Sequence, residues 1–161
     1  MNTLGIRATP HCIFYSVFNV TNKEIIACES FLLPKIYNDV EKLKYLRNTT
    51  LDLIALFKVD GAAIRIIENN AQTVDHFRLN IEGVIREAFA SKYGLIHDSF
   101  VKANFKKIFK VSDLVIKDTI ARKSTYLIED INEFSKNEEV EAILAAMALA
   151  TKYFASTGDA K

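Results

Sequence analysis

The strongest constraint on this chain is the order of its apolar runs. Leu4-Gly5-Ile6, residues 12–20 and residues 25–28 are rich in β-branched and aromatic side chains and are separated by short polar breaks, which predicts three strands in succession. Thr21-Asn22-Lys23 supplies a hairpin turn between the second and third. Connections this short join antiparallel neighbours, because a parallel pair needs a crossover of a dozen residues or more.

After Pro34 the period changes from two to about 3.6. Asn38 or Asp39 can cap a helix in which Val40, Leu43, Leu46, Thr50, Leu51, Ile54 and Phe57 recur at helical spacing. Val59-Asp60-Gly61 breaks that pattern, and residues 62–67 form a short continuous apolar run suited to a buried parallel strand. A second amphipathic helix carries Val74, Phe77, Ile81, Val84, Ile85, Ala88 and Phe89, with Gly94 as its C-terminal cap. Residues 95–100 read as a fifth strand, followed by helical pieces over 101–109 and 114–128 and a last helix from about Asn137 through Ala150. The predicted fold class is α/β: a mixed five-stranded sheet, three antiparallel strands and then parallel crossovers, with helices on both faces.

With 161 residues, half of them apolar, the chain has enough material for one core, so a single domain over 1–154 and a flexible C-terminal tail over 155–161 are expected. Its 21 basic and 20 acidic side chains nearly cancel, so any attraction to nucleic acid has to come from local clustering. Cys12 and Cys28 lie in apolar runs without metal-ligand spacing and read as reduced, buried thiols. No segment has signal-peptide or membrane-spanning character, which gives the expectation of a cytoplasmic protein without membrane contact. Phosphate-loop, dinucleotide and nucleophile-elbow motifs do not occur. His11, His76 and His97 show no paired ligand spacing and read as structural polar residues.

This order of elements resembles the ribonuclease H-like fold, and within it the RuvC type of Holliday-junction resolvase. Four stretches carry the resemblance. Leu4-Gly5-Ile6-Arg7 is similar to an opening strand that ends in aspartate, and Asp60-Gly61-Ala62-Ala63-Ile64-Arg65 to a strand that ends in glutamate. Gly83-Val84-Ile85 falls where that family has a glycine-valine turn against the sheet, and residues 138–146 resemble the helix whose aspartate pair completes the site. The resemblance implies a site in which four carboxylates hold two Mg or Mn ions for phosphodiester hydrolysis. Here arginines, Arg7 and Arg65, stand at two of those positions, and Glu138 and Glu141 at the other two. Guanidinium groups oppose divalent cations by charge, so the resemblance implies a degenerate site with no metal, no cofactor and no catalytic residue.

Two arrangements of these four residues are open on the sequence. Arg7 and Arg65 can pair with Glu138 or Glu141 in a buried ion cluster that replaces the metals electrostatically, or they can be edge arginines reaching solvent above an ordinary acidic helix start. A shifted register of the fourth strand would instead bring in Glu68, and Glu68, Glu138 and Glu141 with Asp98 would then form the acidic site of an active Mg- or Mn-dependent nuclease.

Lys102, Lys106, Lys107 and Lys110 alternate with Phe105 and Phe109, so a basic stripe could bind phosphates and the rings could stack on unpaired bases; helical spacing of Val101, Phe105, Ile108 and Phe109 gives the other reading, an apolar core face backed by solvated lysines. Arg122-Lys123 adds a second basic pair. The alanine-rich last helix is apolar on more than one face, which fits either a position inside the core or a seam shared with a second copy, and a homodimer is expected. The expected role is a non-catalytic nucleic-acid or protein binding module in DNA metabolism, with branched or single-stranded nucleic acid or a protein as partner; the alternatives are the rearranged nuclease and a pseudoenzyme that binds protein alone.

Overall fold

A computed structural model describes residues 1–68 and 75–154. Five strands form one sheet in the order β3-β2-β1-β4-β5, with β1 over Asn2–Ala8, β2 over Cys12–Asn19, β3 over Glu24–Leu32, β4 over Val59–Arg65 and β5 over Ile96–Phe100. The β1–β2 and β2–β3 pairs are antiparallel and the β1–β4 and β4–β5 pairs parallel, which is the mixed sheet that the run order predicts.

Two helices cover one face. Helix α1 (Asp39–Leu56) begins at Asn38, whose side chain accepts from the Glu41 N–H while Glu41 reaches back to the Asn38 N–H. Helix α2 (His76–Ser91) begins at Asp75, which accepts from the Arg78 N–H. Leu46, Ile54, Ile81, Ile85 and Phe89 pack with Leu4, Ile6, Ile13, Val17 and Ile64 from alternate strand positions. The other face carries α3 (Lys102–Phe109), α4 (Asp113–Ile120) and α5 (Asn137–Tyr153), with a 3-10 turn over Ile131–Glu133.

Helix α5 lies across the centre of the sheet because both surfaces are stripped of side-chain bulk. A Cβ on Gly5 would collide with the Ala142 carbonyl oxygen and come within 2.5 Å of the Ala146 nitrogen, so only glycine lets strand and helix backbones approach this closely. The Thr3 hydroxyl closes the contact by donating to the Ala146 carbonyl oxygen at 2.9 Å. Ten of the residues from Val140 to Ala150 are buried, so the apolar faces of α5 are taken up inside this chain against the sheet, α3 and α4. The helix is the core element of the two readings and not a seam left open for a second copy.

Several expectations change. Val59-Asp60-Gly61 follows the end of α1, as expected, but is already the first part of β4: Val59 and Gly61 pair with Asn2 and Thr3 across an irregularity at Asp60, whose carboxylate accepts from the Asn2 N–H. The helix expected over 114–128 stops at Ile120, and Arg122 turns the chain with a left-handed φ of 58°. Helix α2 is capped at Lys92; Gly94 takes its positive φ of 77° in the following turn. Gly83 faces open space and not the sheet, so the packing of this stretch falls to Val84 and Ile85, which lie against the core. Val40 is 76% exposed, outside the buried stripe of α1, and both thiols are half-buried where full burial was expected. Val74 and the tail over 155–161 lie outside the described residues.

Candidate functional site: an ion cluster at the strand ends

The β1–β4 register places Arg7 opposite Arg65 at the C-terminal ends of two adjacent parallel strands, and both project to the face that α5 covers. In open α/β sheets this is the region where ligands and catalytic groups collect. The register is the one in which the two arginines, and not Glu68, occupy the strand ends.

Helix α5 brings Glu141 between the two guanidinium groups. Arg7 Nε lies 2.5 Å from Glu141 Oε2 and Arg65 Nε 3.5 Å from Oε1, with the three side chains only 13%, 6% and 11% exposed for Arg7, Arg65 and Glu141. The approach is ionic, since neither Nε–H points along a well-aligned hydrogen bond. Arg7 Nη1 also donates to the Arg65 carbonyl oxygen at 3.3 Å, and Arg65 Nη1 donates to the Ile66 carbonyl oxygen.

Glu68 joins the cluster from the loop after β4. Its Oε1 is 2.9 Å from Arg65 Nη2 and accepts from the Lys102 backbone N–H, also at 2.9 Å. A carboxylate at the first turn of α3 is favoured by the helix dipole, so the Arg65–Glu68 pair fixes where the lysine-bearing helix starts. Burial lowers the pKa of Arg65 and the nearby Arg7 adds to this, with Glu141, Glu68 and Glu82 opposing.

Glu82 and Arg78 belong to the same network, and no motif in the sequence singles them out. Glu82 is buried on α2, accepts from the Ile67 N–H at 3.0 and 3.2 Å and pairs with Arg78 Nε at 3.2 Å. Burial raises its pKa, while the Ile67 N–H, Arg7 and Arg65 pull it down. The available signal was an acid beside Ile81 on the apolar stripe with a base four residues earlier.

The remaining candidates separate. Glu138 is half-buried in the first turn of α5 and takes part in no ion pair among the described residues, so of the two glutamates it is Glu141 that meets the arginines. Asp98 lies on β5 and is held elsewhere, by Lys152 Nζ at 2.6 Å, the Tyr153 hydroxyl at 3.0 Å and the Ser99 N–H at 2.7 Å. Burial alone would raise its pKa, but these partners hold it below the ordinary carboxylate value. His11, His76 and His97 are exposed and apart from the cluster.

On α3, Lys106, Lys107 and Lys110 are exposed and Lys102 is half-buried, whereas Phe105 is fully buried and Phe109 packs against the core. The rings are therefore core residues and cannot stack on bases; the lysines alone are presented. Arg122 donates to the Asn137 side chain at 2.7 Å at the start of α5.

The residues present do not fit a divalent ion. Such an ion needs a ring of free anionic oxygens, whereas the carboxylates at the strand ends are occupied by guanidinium groups. Among the described residues no three histidine, cysteine, aspartate or glutamate side chains converge as ligands. No helix there is long and apolar enough to cross a membrane.

No family model and no curated protein matches the chain. Solved structures do. RuvC of Thermus thermophilus, alone and in complex with a Holliday junction substrate, superposes with a TM-score of 0.74 over 100% of this chain and 99% of RuvC at 15% identity. The Fowlpox virus resolvase, in complex with substrate Holliday junction DNA, superposes with a TM-score of 0.53 over 93% of this chain and 97% of the resolvase at 13% identity. Sheet order, helix placement and the full-length superposition together establish that this chain has the ribonuclease H-like fold of the RuvC type.

Proposed function

We propose that this protein is a non-catalytic RuvC-like module that binds branched nucleic acid. One observation carries the reading: at the ends of β1 and β4, Arg7 and Arg65 converge on Glu141. Two internal cations there neutralise the carboxylates as bound metals would, so the fold keeps its electrostatic balance without a means of activating water. Both similar structures named above include complexes with Holliday junctions, which supports branched DNA as the ligand class. The exposed lysines of α3, anchored to the cluster through Glu68, supply phosphate contacts beside the former site.

The test is a gel-shift and cleavage series with four-way, duplex and single-stranded DNA, with and without Mn. Binding of the four-way junction without cleavage is expected. Changing Lys102, Lys106 and Lys107 to alanine should flatten the dependence of log K on log salt by about 2.7 for duplex arms, at about 0.9 for each phosphate no longer neutralised. Metal-dependent cleavage that disappears in Glu141→Gln would overturn the reading in favour of a rearranged nuclease. Absence of any shift would leave a protein partner. The proposed setting is cytoplasmic, and a homodimer would have to use a surface other than α5.

A further inference from the structure

From Val140 to Ala150 helix α5 is buried at every position except Met147, which is half-buried. Met147 opens into a groove of about 1320 Å³ between the β2–β3 hairpin, the segment around the 3-10 turn and the C-terminal part of α5. The floor is apolar: Ile25, Leu127, Phe134 and Met147 are each only partly buried against the core of the α5 face. The banks are acidic. Glu24 stands on the hairpin side and Glu129, Asp130 and Glu133 on the other, all exposed; among the described residues Lys23 is the one basic side chain of the lining. The same sign of potential reaches the floor, where burial and then Glu139 and Glu29 push the Cys28 thiol up to about 12. With a net charge of +1 for the whole chain, this concentration of acid is local to the groove.

The hairpin and α5 offer side chains to whatever lies here, and not free backbone groups. The β2–β3 ladder bonds run in the plane of the sheet, and α5 satisfies its backbone along its own axis. A segment lowered onto the apolar floor must therefore pair its own N–H and C=O groups internally, which a helix does and an extended segment does not. A helix also places both required chemistries on one side: residues at i, i+3, i+4 and i+7 form a stripe for the floor, and the positions flanking that stripe face the two banks. Lysine or arginine at those positions answers the acid, and the long aliphatic stems add apolar contact. The groove volume corresponds to about 14 Å of a helix about 11 Å across, or about nine residues.

We propose that this groove docks an amphipathic helix of a partner protein, seated on the floor by an apolar stripe and held to the banks by flanking basic residues. Nucleic acid is repelled by the acidic banks. A second copy's lysine-bearing helix α3 has its apolar residues packed in its own core. Residues 155–161 of the chain itself contain no large apolar side chain to fill the floor. No residue of α3 lines the groove, so the surface stands apart from the lysine face and does not depend on the nucleic-acid reading.

The probe is a labelled peptide of about eighteen residues, long enough to be helical, with leucine at i, i+3, i+4 and i+7 and lysine at the flanking positions. One control has the same composition with leucine and lysine alternating, and a second carries glutamate in place of lysine. Both methionines of the chain, Met1 and Met147, line the groove, so methyl spectra of methionine-labelled protein report its occupancy. Both methyl signals should shift as the helical peptide binds, and fluorescence anisotropy on the full chain should place its affinity at least about tenfold above either control. The triple change Glu129→Lys, Asp130→Lys and Glu133→Lys, all at exposed positions, should lower that affinity at least about tenfold, and the single change Glu24→Lys on the opposite bank should lower it as well. No binding, binding without methyl shifts, equal binding of either control peptide, or affinity unchanged by the lysine substitutions would each overturn the proposal. So would methyl shifts produced by four-way or duplex DNA, or by rising protein concentration without peptide, since the occupant would then be nucleic acid or a second copy.

Discussion

Replacing Glu141 with glutamine removes the one carboxylate among the described residues that pairs with both Arg7 and Arg65, and leaves two cations facing each other in a mostly buried site. With an effective dielectric near 20, the attractions at 2.5 and 3.5 Å are about 7 and about 5 kcal/mol before any opposing cost. Desolvation of three ions and the Arg7–Arg65 repulsion offset most of this, so the net loss should resemble that of other broken buried pairs, about 3–5 kcal/mol. Glu68 still compensates Arg65, so the uncompensated charge falls mainly on Arg7. At about 2–4 °C per kcal/mol for a domain of this size, the melting temperature should drop by about 6–20 °C. Urea denaturation followed by circular dichroism gives the free energy directly. A companion variant, Arg7→Met with Arg65→Met and Glu141→Leu, removes all three charges and should be close to neutral. A loss below about 1 kcal/mol for Glu141→Gln would place the pair with solvated surface bridges and refute the argument that the arginines act as internal counterions.

Three further outcomes are expected. Arg7→Asp together with Arg65→Glu places carboxylates at both strand ends beside Glu141, and should create a Mn-binding site seen by calorimetry, with about 2.7 kcal/mol of added stability at one hundred times the dissociation constant; no Mn binding would mean that the strand ends do not have metal-site geometry. Gly5→Ala should destabilise by about 3 kcal/mol or more, because the new methyl meets the α5 backbone at Ala142 and Ala146 and not a side chain that can turn aside; a near-neutral value in chemical denaturation would contradict the close approach. Asp98 has a folded pKa held below its usual 3.8, so the stability it contributes is present above that pH and is lost as pH falls through the folded value; the stability gap between the native protein and Asp98→Asn should be constant at neutral pH and shrink in acid, and a gap that is flat down to the acid limit would rule out the Lys152 and Tyr153 contacts as the cause.

The sequence alone determined the order of strands and helices, because period and capping chemistry are local: alternation marks β2, and Asn38 with Glu41 marks the start of α1. It also named Arg7, Arg65 and Glu141, since each lies in a recognisable stretch of its own element. Where a run was short or a break was only compositional, as at Val59-Asp60-Gly61, pairing with β1 overrode the local signal. Only the tertiary structure decided which glutamate meets the arginines. Glu138 and Glu141 are the same residue type about one helical turn apart, and the choice follows from how α5 sits on Gly5. Only packing could reveal Glu82, Arg78 and the role of Glu68, because their contacts cross from one element to another. The same holds for α5 itself: its composition permits a core helix or a dimer seam, and burial against five strands and two helices selects the first.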